Sequence, residues 1–300
     1  CISYKEAPML FLANLLVCLG LFQAPQKAPA VENGTFDSNG VKIHYTVQGS
    51  GEPVLLIHGF TVNIFVQWDQ PGITSALASH YRVIALDNRG HGQSGKPHDA
   101  KKYGKEMVED AVRLLDHLKI KKAHVVGYSM GAMIAGNLLV THPDRLLSVT
   151  LGGAGIIRKS SNTEFFDTLA NSLEKDKSIA PLIEYLTPAG QAKPTAQQIK
   201  TINVMLSSFN DMQALAAVVR SWNGLVVSDD LLKANKVPVL GLVGDRDPLK
   251  QSLEDMKGIL AGLQIVTISE GDHMNTFEKP AFLKALEEFL AKNSTKKAAQ

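Results

Sequence analysis

The five residues Gly127-Tyr128-Ser129-Met130-Gly131 constrain the fold of this 300-residue chain more than any other segment. They match the pattern G-x-S-x-G and follow a short apolar run at 123–126, which is typical of a buried strand. The segment 132–140 after them has the composition of a helix. A serine on such a sharp turn projects its hydroxyl clear of the sheet, at a helix N-terminus where backbone N–H groups stabilise negative charge. We expect glycines on both sides because the turn leaves no room for side chains.

Strand patterns alternate with helical patterns along most of the chain. Strands are predicted at 53–58, 82–87, 147–151, 238–243 and 264–268, and the first two are continuously apolar, as expected of strands covered on both faces. The segment 41–47 alternates with period two and predicts an antiparallel edge strand. Helices are predicted at 71–79, 103–118, 251–260 and 280–291. This alternation indicates an α/β fold, with a mostly parallel sheet and helices on both faces.

One stretch interrupts the alternation. Residues 155–225 have helical periodicity without a strand-like run, and a piece with proline and glycine at 187–190 divides them. We interpret 155–225 as a helical cap inserted between two core strands. The alternative is that these helices are crossover connections of an uninterrupted domain. The apolar composition of the stretch favours a substrate with a hydrophobic acyl or alcohol portion.

The N-terminal segment differs from the rest of the chain. Residues 9–22 are almost wholly apolar, with Lys5 before them and Ala28-Pro29-Ala30 after them. This length fits the apolar region of a signal peptide and is short for a membrane span. We interpret 1–30 as a cleaved signal that exports the protein to the periplasm or the medium. An uncleaved membrane anchor and a helix packed on the body are the alternatives. The remainder, 31–300, is long enough for one large domain.

Charge and cysteine content exclude several functions. The chain has 31 basic and 29 acidic residues without a long run of one sign, so nothing indicates nucleic-acid binding. Its two cysteines, Cys1 and Cys18, lie in the N-terminal segment, so the folded body has no disulfide bond and no thiolate metal site. We therefore expect a small-molecule substrate, no cofactor, no metal ion and no stable membrane span in the mature form.

A serine nucleophile needs a base, and the base needs an acid that orients it. Of the nine histidines, His273 follows the last predicted strand, and the chain order serine, acid, histidine places it at the same sheet edge as Ser129. Asp247 follows the preceding strand and is the candidate acid. Asp245 lies nearer to the end of that strand, where a role in the turn or in a salt bridge to Arg246 is the alternative for its side chain. Asp272 is adjacent to the histidine in the chain, so it cannot easily reach the far ring nitrogen.

The oxyanion of a tetrahedral intermediate needs two or more aimed donors. The backbone N–H of Met130 is one candidate, and that of Phe60, in the turn 58–60 after a strand, is the second. The alternative is that 58–60 is only a tight turn. Candidates for the lining of a substrate pocket, each with an ordinary core position as its alternative, are Phe65, Trp68, Tyr128 and Met133.

These motifs resemble those of the α/β-hydrolase fold superfamily. Five occur in the family's order, namely HGF at 58–60, DNRGHGQS at 87–94, GYSMG at 127–131, GDRDP at 244–248 and GDH at 271–273. The resemblance covers nearly all of 35–292 and implies an eight-stranded sheet with Ser129, Asp247 and His273 as a catalytic triad. It implies a structural role for the segment 87–94.

The resemblance is nearest to small capped hydrolases, which include esterases, enol-lactonases and C–C hydrolases. It implies a serine hydrolase that cleaves a small ester or lactone through an acyl-enzyme intermediate without a metal ion. Ser129 disfavours the haloalkane dehalogenase and epoxide hydrolase branches, which need aspartate at this position. A C–C bond hydrolase, a cofactor-free perhydrolase or haloperoxidase, and a small-molecule receptor on the same fold are the alternatives.

Overall fold

Eight strands form a single sheet in the computed structural model, which describes residues 30–159, 161 and 164–295. Their order across the sheet is β1-β2-β4-β3-β5-β6-β7-β8. Strand β2 runs antiparallel to its neighbours β1 and β4, and all other neighbouring strands pair in parallel. The strands are β1 Glu32–Ser38, β2 Val41–Gln48, β3 Glu52–Ile57, β4 Tyr81–Leu86, β5 Ala123–Tyr128, β6 Leu146–Gly152, β7 Val239–Gly244 and β8 Leu263–Ile268.

Helices cover both faces of this sheet, which confirms the predicted α/β architecture. In β3, Leu55 and Ile57 pack into the core on one face, and Val54 and Leu56 pack into the core on the other. This is why the strand is apolar at successive positions. The α-helices of the described residues outside 153–228 are α1 Ile73–Leu77, α2 Lys105–His117, α3 Met130–Thr141, α8 Asp229–Lys233, α9 Lys250–Glu254 and α10 Pro280–Lys292.

A helical insertion lies between β6 and β7, where the sequence predicts helical periodicity. It contains α4 Glu164–Asp176, α5 Ala180–Tyr185, α6 Ala196–Phe209 and α7 Met212–Ser221. Helices α4 and α7 pack together through buried side chains, and Nη2 of Arg220 lies 2.6 Å from Oε2 of Glu174 across them. Helix α6 packs far less closely, since Leu206 is its one buried residue. The described residues of the insertion form no strand.

The structure corrects several details of the sequence prediction. Strand β2 is not at the edge of the sheet, because β1 pairs with its outer side. The sequence does not reveal β1, since Phe36 is the one large apolar residue in Glu32–Ser38. The helix predicted at 251–260 ends at Glu254, before Gly258, whose φ of 79° is incompatible with a helix. Likewise the helix predicted at 71–79 extends only over Ile73–Leu77.

The predicted export signal at 1–30 lies outside the described residues apart from Ala30. It therefore stays a prediction. In the part of the chain that the structure describes, no helix has both the length and the apolar character needed to cross a membrane.

Candidate active site

Ser129 lies on a strained turn between β5 and α3. Its φ of 55° is in the left-handed region, which side-chain-bearing residues rarely adopt. A Cβ atom at Gly127 would lie 2.1 Å from the carbonyl oxygen of Gly131, and one at Gly131 would lie 2.0 Å from that of Ile57. Both flanking positions therefore require glycine. The turn presents the serine side chain at the edge of the sheet where the parallel strands end.

The structure brings Ser129, His273 and Asp247 together from the segments that follow β5, β8 and β7. Nε2 of His273 lies 2.9 Å from Oγ of Ser129. Nδ1 of the same ring lies 3.0 and 3.2 Å from the two carboxylate oxygens of Asp247. Both His273 and Asp247 are buried. In this arrangement Nδ1–H donates to the carboxylate, so Nε2 is free to accept the serine proton.

The loop that carries His273 is anchored by Tyr128, the residue before the serine. The Tyr128 hydroxyl donates to the carbonyl oxygen of His273 at 2.8 Å, and the two ring centroids are 5.6 Å apart. Burial raises the pKa of this hydroxyl well above its ordinary value, so it stays protonated and remains a donor. Tyr128 lines the cavity beside Ser129, as expected, but its hydroxyl also positions the histidine.

Of the three carboxylates considered from the sequence, Asp247 is the one that hydrogen-bonds to the ring of His273. Its Oδ1 also accepts the backbone N–H of Leu249 at 2.8 Å. Asp245 is exposed to solvent. Asp272 accepts backbone N–H groups of the two residues after His273, at 2.9 and 3.0 Å, and so shapes the turn that presents the imidazole.

The turn 58–60 approaches the serine closely. A Cβ atom on Gly59 would lie 3.3 Å from Cβ of Ser129. Phe60 and Met130 both line the cavity that contains Ser129. Met130 is the first residue of α3, so its N–H has no acceptor within the helix. These are the two backbone donors that the sequence selects for an oxyanion.

Buried hydrogen bonds of His58 hold the turn 58–60 in place. The ring of His58 accepts the N–H of Asn88 at Nε2, 2.9 Å away, and donates from Nδ1 to the carbonyl oxygen of Gly59 at 2.7 Å. Burial lowers the pKa of His58, which keeps the ring neutral. Arg89, fully buried, donates to both carboxylate oxygens of Asp110 at 2.5 and 2.6 Å. These contacts fit the structural role that the resemblance implies for 87–94.

A cavity of about 890 Å³ opens at Ser129 and extends beneath the helical insertion. Tyr128 and Met133, two of the four candidate pocket residues, line it. Phe65 and Trp68 do not, which corrects the expectation for these two. They belong to a single π-helical turn, Phe65–Asp69, that buries Trp68 completely in the core on the α10 side of the sheet and leaves Phe65 63% exposed.

Gln67 is a residue of the site that the sequence does not reveal. It is buried, it lines the cavity, and its Oε1 accepts the N–H of Gly59 at 3.4 Å. Its Nε2 has no hydrogen-bond partner among the described residues. No pattern marks this position, because a glutamine between apolar residues is usually solvated.

Few charged side chains lie in the part of the cavity wall that the structure describes. Among the described residues that line the cavity, Arg158 is the one lysine or arginine, and its guanidinium lies 3.1 Å from both carboxylate oxygens of Asp229. The acidic side chains in the wall are Asp255, Asp272 and Glu278. Within the described ranges, no group of three or more His, Cys, Asp or Glu residues is arranged to hold a metal ion.

Comparisons with known proteins identify the family to which this fold belongs. A family model for the alpha/beta hydrolase fold matches residues 52–280. An epoxide hydrolase of Caballeronia sordidicola is 39% identical over 113 residues, which are 37% of this chain and 34% of that protein. The chain thus spans about a third of the length of that relative.

Two solved structures share the fold over most of their length. An esterase from Thermogutta terrifontis has a TM-score of 0.71 and 25% identity, covering 88% of this chain and 100% of the other. An N-acyl homoserine lactone degrading enzyme has a TM-score of 0.68 and 25% identity, covering 85% and 100%. Because the family model spans most of the chain, this protein belongs to the α/β-hydrolase fold family.

Proposed function

We propose that this protein is a serine hydrolase that cleaves a carboxylic ester or lactone through an acyl-enzyme intermediate. One observation carries the proposal, namely the line of hydrogen bonds from Ser129 Oγ to His273 Nε2, at 2.9 Å, and from His273 Nδ1 to Asp247, at 3.0 Å. A hydroxyl is a weak nucleophile at neutral pH, and an oriented imidazole is the group that activates it.

In the acylation step, Nε2 of His273 accepts the proton of Ser129 as Oγ bonds to the substrate carbonyl carbon. Asp247 holds the ring and stabilises the imidazolium that forms. The backbone N–H groups of Phe60 and Met130 stabilise the negative charge that develops on the carbonyl oxygen. The proton on Nε2 then passes to the leaving alkoxide, and the acyl group stays on the serine as an ester.

The deacylation step repeats this chemistry with water as the nucleophile. His273 accepts a proton from water as its oxygen bonds to the acyl carbon, and the same two N–H groups receive the second oxyanion. When this intermediate collapses, Ser129 Oγ leaves and takes the proton from Nε2. A carboxylic acid is released from an ester, whereas a lactone gives one hydroxy acid because its alcohol remains attached to the acyl group.

The nucleophile favours a carbonyl substrate over an epoxide, the substrate class of the relative from Caballeronia sordidicola. Attack of a serine oxygen on an epoxide carbon would leave an ether on Ser129, which water does not hydrolyse under mild conditions. Attack on a carbonyl leaves an ester that water removes. The structural likeness to an esterase and to a lactone-degrading enzyme supports the same substrate class.

A fluorophosphonate probe and p-nitrophenyl acetate test the proposal together. We expect one label, on Ser129, and a loss of activity greater than about a thousandfold in Ser129→Ala. Asp247→Asn should lose activity strongly, whereas the matched change Asp245→Asn, on an exposed side chain of the same loop, should not. EDTA should have no effect, because no step uses a metal ion. Labelling that persists in Ser129→Ala contradicts the proposal, as does an equal loss of activity in Asp247→Asn and Asp245→Asn.

A further inference from the structure

The cavity is bordered by apolar side chains that are exposed to water. Four large apolar residues, Tyr185, Met205, Phe209 and Met274, line the cavity and are also exposed. Single exposed apolar residues are common on protein surfaces, but a set gathered around one opening marks a binding surface. We call these four residues the portal. Met274 lies next to His273, so the portal extends to the candidate catalytic group.

Helix α6 contributes two of the four portal residues, Met205 and Phe209. Four of its residues, Ile202, Met205, Leu206 and Phe209, follow the spacing i, i+3, i+4, i+7 and all line the cavity. This is the apolar stripe of an amphipathic helix, which ordinarily packs on a core. Here only Leu206 of the 14 residues in the helix is buried. Ile202 and Leu206 pack against the core. Met205 and Phe209 are exposed, so this part of the stripe borders the cavity without packing on the core.

The deeper wall of the cavity is also apolar and offers no free cation. Apolar side chains there include Met133, Ile157, Phe166, Leu182 and Ile183. Arg158, the one lysine or arginine among the described lining residues, is already held by Asp229. A carboxylate on the substrate would therefore find no unpaired positive partner in the described wall, whereas a neutral hydrocarbon chain would meet suitable surface throughout.

The size of the cavity exceeds the needs of a short substrate. Its volume of about 890 Å³ is near the upper end of the range for small-molecule sites, roughly 300 to 1,000 Å³. An acetyl group bonded to Ser129 would leave most of this space, and the α6 stripe, without contact. Each additional methylene group that is buried improves binding by about fourfold.

From these observations we infer that the cavity binds the neutral aliphatic acyl chain of a medium- or long-chain ester, with the apolar face of α6 as the acyl-binding surface. The inference rests on the serine hydrolase function proposed above, and deepens it by naming the substrate class. The acyl carbonyl lies at Ser129, and the chain runs under α6 towards the portal.

Chain length and chain position provide the first test, with dissolved substrates below their critical micelle concentration. For wild-type protein, kcat/KM should rise at least about tenfold from p-nitrophenyl acetate to the octanoate. Methyl octanoate should be a better substrate than octyl acetate, because only the former has its chain on the acyl side. No rise with acyl length, or a preference for octyl acetate, overturns the inference.

Two changes in α6 provide a matched pair of variants. Met205, 55% exposed, lines the cavity, whereas Val204, 66% exposed on the same helix, does not. Met205→Gln should lower kcat/KM for the octanoate about fivefold and leave the acetate within about twofold, while Val204→Gln should leave both within about twofold. Since both side chains are exposed, neither change should prevent folding. Equal loss on both esters in Met205→Gln, or equal loss in the two variants, contradicts an acyl-binding role.

The outcomes separate this inference from the proposed function. If acetate is not hydrolysed faster by wild-type protein than by Ser129→Ala, the serine hydrolase function itself is wrong. If acetate hydrolysis depends on Ser129 but longer acyl chains bring no gain, only the acyl-chain inference fails. The esters are also assayed above their critical micelle concentration. If kcat/KM rises with acyl length only there, and the rise disappears in Val204→Gln, α6 docks on lipid aggregates and the acyl-chain inference is wrong.

Discussion

Removal of one hydroxyl group, in Tyr128→Phe, tests how the histidine is held in the site. The change keeps the ring and its edge contacts with Phe277 and Phe282, whose centroids lie 5.1 and 6.1 Å away. It removes the 2.8 Å hydrogen bond to the carbonyl oxygen of His273. The perturbation is therefore confined to the anchor of the loop that presents the imidazole to Ser129.

The size of the effect follows from the burial of this contact. Tyr128 is 2% exposed, so water cannot replace its hydroxyl group as the hydrogen-bond donor to the His273 carbonyl oxygen. Loss of this hydrogen bond should lower the free energy of unfolding by about 1 to 3 kcal/mol. For a domain of this size the melting temperature should fall by roughly 2 to 5 °C. Misplacement of a catalytic group by about 1 Å costs roughly a hundredfold in rate, so we expect kcat to fall by about ten- to a hundredfold.

The assay compares melting temperature, kcat and KM for an ester substrate in Tyr128→Phe and in a control. Tyr185→Phe is the control, because Tyr185 also lines the cavity but lies on α5 and not in the loop of His273. The KM of Tyr128→Phe should stay within about twofold of the wild-type value, since the base and not the binding surface is displaced. Wild-type kcat in Tyr128→Phe would refute the anchoring role.

Two further predictions concern residues behind the oxyanion turn. Burial lowers the pKa of His91 to about 3, whereas in the unfolded chain it titrates near 6.5. Below pH 6.5 the folded protein thus binds fewer protons than the unfolded chain, so its free energy of unfolding falls as the pH falls. From this residue alone the loss between pH 7 and pH 5 is about 2 kcal/mol. In urea unfolding, His91→Asn should therefore lose less stability than wild type between pH 7 and 5, and equal losses would refute the linkage. Gln67→Leu removes the acceptor for the Gly59 N–H and should lower kcat about three- to tenfold. Its control Gln70→Leu, on an exposed residue of the same cavity, should not, and equal effects would contradict a role in holding the turn.

The sequence by itself determines the features that depend on local sterics and on chain order. The glycines at 127 and 131 indicate the strained turn, because a Cβ atom at either position would clash with a nearby backbone carbonyl oxygen. Apolar runs such as 53–58 predict strands that are covered on both faces. Since parallel strands end at one edge of a sheet, motif order selects His273 and the loop 244–248, and the resemblance selects Asp247 within that loop. The structure brings both side chains to Ser129.

Only the tertiary structure decides which distant residues meet. The anchor between Tyr128 and His273 joins residues 145 positions apart, and no local pattern distinguishes that tyrosine from a core residue. The same holds for Gln67 and for the outward position of Phe65. The spacing of apolar residues in α6 indicates an amphipathic face. Whether such a face packs on a core or lines a cavity depends on how the helix is placed against the rest of the domain. Packing between elements far apart in the chain is set by their mutual fit, which local sequence does not encode.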